Sequence, residues 1–406
     1  MLLRFSGENF LSFKNDFEFS MLATALKEPS IPENENMFPG GEALGNVLCS
    51  AAVYGANASG KSNLIKSLKA LRELVLQSAD SFGKSDEIGA MMFRFNTESI
   101  KNPLMLEVIF EDNGSIFRYG CELLGNLINR EWLYSRNNRK KAKEVELFFR
   151  ENGNITAHSS MTITRDIVNR NMVRPDALVL STSGIFNDPV CSRIINWFKA
   201  MTVIQSTDDH ELWKKVSSTI DDEQLRRRIV DFARYADFGI DDIQKRGDVV
   251  VSSHMVYDEE GKEAEIARLP LKEIESEGTI KFFQLSAPVI KALDEGTLLI
   301  IDELDARIHP NLTRRIISLF NSPETNRHGA QLLFTLHDAV VLNEHIFRRD
   351  QIWFTEKDNF GASKLFPLSD FKVRSNSPFA KDYLNGRYGA TPIIGSLEMI
   401  FNNAEE

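Results

Sequence analysis

Residues 2–21 alternate apolar and polar positions around Leu3, Phe5, Phe10, Phe13, Phe17 and Phe19, with a polar break at Lys14-Asn15-Asp16. That alternation predicts a β-hairpin. Pro29, Pro32, Pro39 and Gly40-Gly41 make 26–46 a long loop. Val47 to Tyr54 reads as a short buried strand, followed by a glycine-rich loop. After that loop, Leu64, Ile65, Leu68, Leu71, Leu74 and Val75 fall at helical spacing and predict a helix from about Lys61 to Gln77. Residues 91–150 read as a β-meander. Leu104–Phe110 and Ser115–Leu123 flank the turn Asp112-Asn113-Gly114, with further strands near Glu131–Tyr134 and Val145–Arg150. From Asp166 to Phe238 the periodicity turns helical, strands resume at Asp248–Tyr257, and a helix from about Thr279 to Leu293 leads into the apolar run Thr297–Ile301. The pattern predicts an α/β protein with a mixed central sheet, an N-terminal antiparallel β-meander and an α-helical insertion. Its parts are 1–160 (hairpin, glycine-rich loop, meander), 161–245 (helical insertion or lid) and 246–406 (the C-terminal part of the α/β body).

The loop itself reads Gly55-Ala56-Asn57-Ala58-Ser59-Gly60-Lys61-Ser62, a full match to the phosphate-binding pattern G-x-x-x-x-G-K-[ST]. By background frequencies such a match arises by chance in roughly one chain in a hundred of this length, before its strand–loop–helix context is counted. Its glycines let backbone N–H groups point inward at an anion, and the helix that begins there adds its positive end. Lys61 supplies a charge toward the β- and γ-phosphates, and Ser62 offers a hydroxyl to magnesium. ATP and Mg2+ are therefore the expected ligands.

Thr297-Leu298-Leu299-Ile300-Ile301 ends in Asp302-Glu303. An all-apolar run suits a strand buried on both faces, and acids at its carboxyl end emerge where α/β sheets bind ligands. Asp302 is placed to hold magnesium opposite Ser62. Glu303 is placed to orient or deprotonate the attacking water.

Composition narrows the partners. The net charge of −10 argues against nucleic-acid binding over the whole surface. Two local basic stretches remain, Arg136 to Lys143 and Arg226-Arg227-Arg228, with no aromatic interleaved to stack on bases. No apolar run is long enough to span a membrane, and the start Met1 to Asn9 turns polar too soon for a signal peptide. Three cysteines without metal-ligand spacing fit a reduced, cytoplasmic setting.

Further motifs carry a family resemblance. The loop contains Asn57 and is followed by Asn63, Glu8-Asn9-Phe10-Leu11-Ser12-Phe13 opens the chain, and Glu275-Ser276-Glu277-Gly278-Thr279 precedes the acidic strand. Leu304-Asp305 follows Glu303, and Leu333-Phe334-Thr335-Leu336-His337 lies beyond it. Together these resemble SMC, RecF and related ABC-type heads. With His309-Pro310 and Tyr383-Leu384-Asn385-Gly386-Arg387-Tyr388-Gly389-Ala390, the chain resembles bacterial stand-alone "AAA family" ATPases linked to abortive infection and phage defence.

The resemblance implies an ABC/SMC-like fold and a head-to-head homodimer. ATP held by Gly55 to Asn63 of one subunit would be closed by Ser276 and Gly278 of the other, with His337 at the γ-phosphate. It implies an ATP-gated switch controlling a separate, co-encoded effector, either a nuclease or a toxin. The glutamine of the Q-loop stays unplaced, because Gln77 and Gln284 sit wrongly in the chain. The insertion carries no long heptad run, so the SMC coiled coil is absent. Overcoming-lysogenisation-defect nucleases have a similar head and then an acidic Toprim domain; here Glu356, Asp358 and Asp370 form no such set. A RecF-type DNA-binding repair ATPase is the competing reading. A transporter's ATPase subunit is disfavoured by the N-terminal hairpin and the terse signature.

Overall fold

The structure is a computed structural model and describes residues 1–80, 83–235, 239–343 and 345–391. Its first strands are β1 (Leu2–Glu8), β2 (Phe17–Ser20), β3 (Met37–Pro39), β4 (Asn46–Leu48) and β5 (Ser50–Gly55). The meander supplies β6 (Leu104–Asp112), β7 (Ser115–Leu124), β8 (Leu127–Asn137), β9 (Val145–Glu151) and β10 (Asn154–Ala157). Then come β11 (Thr202–Ile204), β12 (Asp242–Arg246), β13 (Val249–Tyr257) and β14 (Glu263–Pro270). The last strands are β15 (Leu298–Ile301), β16 (Gln331–Thr335), β17 (Ile352–Lys357) and β18 (Ser363–Pro367). Helices α1 (Lys61–Gln77), α2 (Lys84–Gly89), α3 (Thr162–Asn169), α4 (Val179–Ile185), α5 (Pro189–Ala200) and α6 (Asp209–Thr219) occupy the first half. They are followed by α7 (Glu223–Arg234), α8 (Leu271–Ile274), α9 (Glu277–Glu295), α10 (Pro310–Asn321) and α11 (Phe379–Leu384).

Among the described residues the central sheet runs β11-β15-β16-β5-β17-β18, parallel except where β18 turns back on β17. Its strands alternate between two cores, as period-2 side chains must. Ala51, Val53, Leu298, Ile300 and Leu333 face the core shared with α1 and the meander. Ala52, Tyr54, Leu299, Ile301, Leu332 and Phe334 face the core with α9 and α10. Burial on both faces is why the acidic strand is apolar at every position. A second sheet, β10-β9-β8-β7-β6-β1-β2, is antiparallel and unites the hairpin with the meander through β1–β6 pairing. Helix α1 packs into its core, with Leu64, Ile65, Leu68, Leu71, Leu74 and Val75 all buried. Each such side chain contributes roughly 1.5–3 kcal/mol, so the helix under the phosphate loop is firmly anchored.

Three local differences from the sequence reading follow from tertiary pairing. Val47 to Tyr54 is two strands, because the chain crosses at Cys49 from β4, paired with β3, into the central sheet. There the Cys49 N–H donates to the Asn36 carbonyl and the Cys49 carbonyl accepts from Leu332. The long loop 26–46 therefore carries β3.

Residues 161–245 divide three ways. Residues of α4 and α5 join the core around α1. Strand β11 enters the central sheet beside β15. Helices α6 and α7 join β12 and β13 in a third, smaller core. Helix α9 serves both bodies: Phe282, Leu285, Val289 and Ala292 face the central sheet, while Phe283, Ala287 and Ile290 face the small core.

Candidate active site

The phosphate loop leaves β5 at Gly55 and enters α1 at Lys61. Gly60 caps that helix at φ 119, and a Cβ there would lie 2.6 Å from Ser363 Oγ. Gly55 is pressed against the Thr355 carbonyl on neighbouring β17. Both glycines are thus required by close backbone approach as well as by loop shape. Ala58 sits at φ 60, and Asn57 and Ala58 at the crest are exposed. The Lys61 ammonium folds back over this crest, donating to the carbonyls of Gly55 (2.7 Å) and Ala56 (3.2 Å). Burial lowers its pKa, while attraction from Asp302, Asp305 and Glu303 works the other way.

The acids stand beside it on one connected network. Asp302 Oδ1 accepts from Ser62 Oγ (3.1 Å) and from Thr335 Oγ1 (2.7 Å). Thr335 Oγ1 in turn accepts the Glu303 N–H at 2.7 Å. Glu303 lies past the strand end at φ 58, a left-handed conformation that a non-glycine residue adopts only under constraint. That twist brings its carboxylate to His337, with Oε1 and Nε2 3.3 Å apart. Asp305 holds the other side of the histidine, accepting the N–H groups of His337 (2.8 Å) and Asp338 (2.7 Å). The Ser62 hydroxyl and Asp302 carboxylate, meeting next to an anion-binding loop, are a hard oxygen donor set that fits magnesium.

Behind the loop runs a second polar network. Asn63 Nδ2 donates to Ser12 Oγ (2.7 Å), Ser363 Oγ donates to the Ser59 carbonyl (2.6 Å), and the Ser12 and Ser363 hydroxyls are hydrogen-bonded at 2.8 Å. The Asn63 amide therefore reaches the N-terminal turn, and Ser59 Oγ pairs with Thr355 Oγ1 at 2.6 Å.

Ser276 and Gly278 lie at the start of α9. The Ser276 hydroxyl caps the helix, accepting the Thr279 N–H at 3.1 Å, and Ser276 and Glu277 are exposed. Gly278 is packed against the Arg307 carbonyl. No hydrogen bond ties Ser276 to the phosphate loop among the described residues.

Four participants were not legible as site residues. Gln205 follows β11 directly; Ile204 pairs with Ile301, so Gln205 stands level with Asp302, whose N–H donates to the Ile204 carbonyl at 2.9 Å. Its side chain accepts from Lys69 on α1. The only signal was Thr202-Val203-Ile204, three β-branched residues inside a helical stretch. Asp209, at the start of α6, binds Lys281 of α9 (2.8 Å) and Arg307 beyond the acids. Thr335 and Ser12 complete the set.

The basic stretches separate. Arg226, Arg227 and Arg228 pair with Asp242, Glu223 and Asp294. Arg139, Lys140, Lys141 and Lys143 in the β8–β9 loop are exposed, with no ion pair among the described residues. Glu356, Asp358 and Asp370 are apart in role: Glu356 accepts the Ala390 N–H, Asp358 closes the β17–β18 turn, and Asp370 lies in a 3-10 turn.

A phosphate loop after a buried strand, with one strand (β16) between it and the acid-bearing strand, defines a P-loop NTPase fold. The family model described as "AAA domain, putative AbiEii toxin, Type IV TA system" matches residues 50–343, and the chain belongs to that family. Among solved structures it is similar to an Smc head bound to the C-winged helix domain of ScpA. That match has 13% identity, 90% of this chain, 97% of that one and TM-score 0.46. It is also similar to the recombination mediator RecF, with 12% identity, 90% and 98% covered and TM-score 0.30. A third is cbiO1 of Clostridium perfringens, part of an ABC transporter complex, with 8% identity, 95% and 92% covered and TM-score 0.34. No curated protein matches the chain. Among the described residues no helix is long and apolar enough to cross a membrane.

Proposed function

We propose that the chain binds and hydrolyses ATP as a head-to-head homodimer whose closure is governed by the γ-phosphate. The observation that carries this is the network Ser62–Asp302–Thr335–Glu303–His337 set against Lys61. Backbone N–H groups from Gly55 to Asn63 receive the phosphates, and Lys61 exchanges its carbonyl partners for phosphate oxygens. Ser62 and Asp302 would hold magnesium, which offsets phosphate charge when bound. Glu303 orients and deprotonates water, and His337 and Gln205 flank the γ-phosphate position. Exposed Ser276 and the helix start at Gly278 would close the partner's site, and loss of the γ-phosphate removes that contact.

The test uses the purified chain. Lys61→Ala should abolish phosphate release. Glu303→Gln should keep ATP, turn over slowly and accumulate a dimer by light scattering. Undiminished turnover in Lys61→Ala overturns the proposal.

The family description supports a place in abortive infection, with the ATP-gated head as sensor or regulator and a co-encoded nuclease or toxin as effector. Three buried free cysteines support a cytoplasmic setting. Phage plating on cells carrying the locus, with and without Lys61→Ala, tests it; protection that survives the substitution overturns it. The unpaired loop Arg139–Lys143 favours a second reading, duplex DNA binding by the dimer. In that case reversing these charges should weaken salt-dependent binding.

A further inference from the structure

The geometry points to a nucleobase platform formed by Phe95 and Phe360 on the flank of the phosphate loop opposite the acids. It rests on the ATP reading and adds where the base goes. The sheet order puts β16 and β15, with His337, Asp302 and Glu303, to one side of β5, and β17 and β18 to the other. The γ-phosphate and metal end is drawn to the acids. A triphosphate laid along the loop therefore delivers its nucleoside toward the other flank. Asn63, the residue after Ser62, turns to that flank through Ser12.

On that flank stand two aromatic rings in water. Phe360 is 81% exposed and Phe95 is 74% exposed. Most other described phenylalanines of this chain are buried in its cores, and keeping a large apolar ring in water is unfavourable. Their segments touch: a Cβ on Gly361, the residue after Phe360, would lie 3.0 Å from Phe95 Cδ2.

The turn that carries Phe360 and the Phe95 ring are each fixed in place. Asp358 Oδ1 accepts the N–H groups of Phe360 and Ala362, each at 2.9 Å, and locks the β17–β18 turn. Phe95 packs edge-on against buried Phe93, with centroids 5.7 Å apart. The N-terminal motif is the hub. Asn9 accepts the Phe93 N–H (3.3 Å) and donates to the carbonyls of Ser99 and Asn102. The Leu11 N–H donates to Met91, and the Ser12 carbonyl accepts from Ser363. The Asn9-to-Ser12 turn thus ties both aromatic segments to the phosphate loop.

Flat rings recognise a base by its π-face and not by its edge. The platform takes purines generally, with ATP and GTP close in affinity. Pyrimidine triphosphates bind more weakly for lack of ring area.

Calorimetry on the full chain carrying Glu303→Gln, with ATP, GTP, CTP and inorganic tripolyphosphate, tests this. Phe95→Ala and Phe360→Ala should each weaken ATP by about tenfold and leave tripolyphosphate unchanged, while Phe360→Trp keeps ATP tight. Unchanged ATP affinity in the double alanine variant overturns the platform. So does an equal loss for ATP and tripolyphosphate, which would mean a distorted loop. If the unsubstituted rings bind neither ligand, the ATP reading itself falls.

Discussion

A Cβ placed on Gly278 would lie 2.7 Å from the carbonyl oxygen of Arg307. The start of helix α9 and the loop that carries Asp302 and Glu303 therefore touch, backbone against backbone, within one chain. Arg307 is itself held at φ 65. The position of that loop and the position of the α9 start are therefore set by one tight contact.

Gly278→Ala forces this contact open. Overpacking of this kind costs roughly 1–3 kcal/mol, so thermal unfolding should shift down by a few degrees while the fold persists. ATP binding to the monomer should survive, because the phosphate loop is untouched. Dimer formation with ATP and phosphate release should both fall at least tenfold, on the order of one hydrogen bond's worth. Light scattering and a phosphate assay check it.

Asp209 reinforces the same junction. It joins Arg307 to Lys281, whose side chain is 4% exposed. Asp209→Asn leaves a buried ammonium without its counter-charge, at a cost of roughly 1–3 kcal/mol. Burial raises the Asp209 pKa, but hydrogen bonds from Arg307 and Lys281 outweigh it and the net shift is downward. The stabilisation is therefore present above the ordinary carboxylate value and is lost as pH falls through the lowered one. Denaturation of both proteins from pH 7 toward pH 3 should show a gap that closes only at the acid end.

Thr335→Val keeps the shape and removes a hydroxyl that serves Asp302 and Glu303 together. The part-buried Glu303 N–H loses its acceptor and Asp302 a donor, roughly 1–3 kcal/mol in all. Weaker magnesium dependence of turnover should appear before any loss of fold. A magnesium titration of phosphate release reads it, and an unchanged half-saturation point counts against the role.

Gln205→Ala removes a side chain level with Asp302 that also accepts from Lys69 of α1. Turnover should fall on the order of a hundred- to a thousandfold, in the range seen when a positioned polar group leaves a reacting centre. ATP affinity should change little. Comparable loss in binding and turnover would instead mean that it only braces α1.

Local signals sufficed where neighbours in sequence do the work. The loop Gly55–Ser62 folds from its own glycines, α1 runs from Lys61 to Gln77 as its periodicity predicts, and the apolar run into Asp302-Glu303 announced a strand buried on two faces. These features depend on spacing, which a chain carries on its face. What residues far apart do for one another was decided in three dimensions. Gln205 became a neighbour of Asp302 only because β11 joins the sheet beside β15. Asp209 found Lys281 and Arg307 only through the packing of α6 on α9. Asn9 and Ser12, read as a family hallmark, turned out to bind the loop, Ser363 and the Phe93–Phe95 segment into one wall. Strand order and long-range hydrogen bonds have no local periodicity, so no pattern along the chain could announce them.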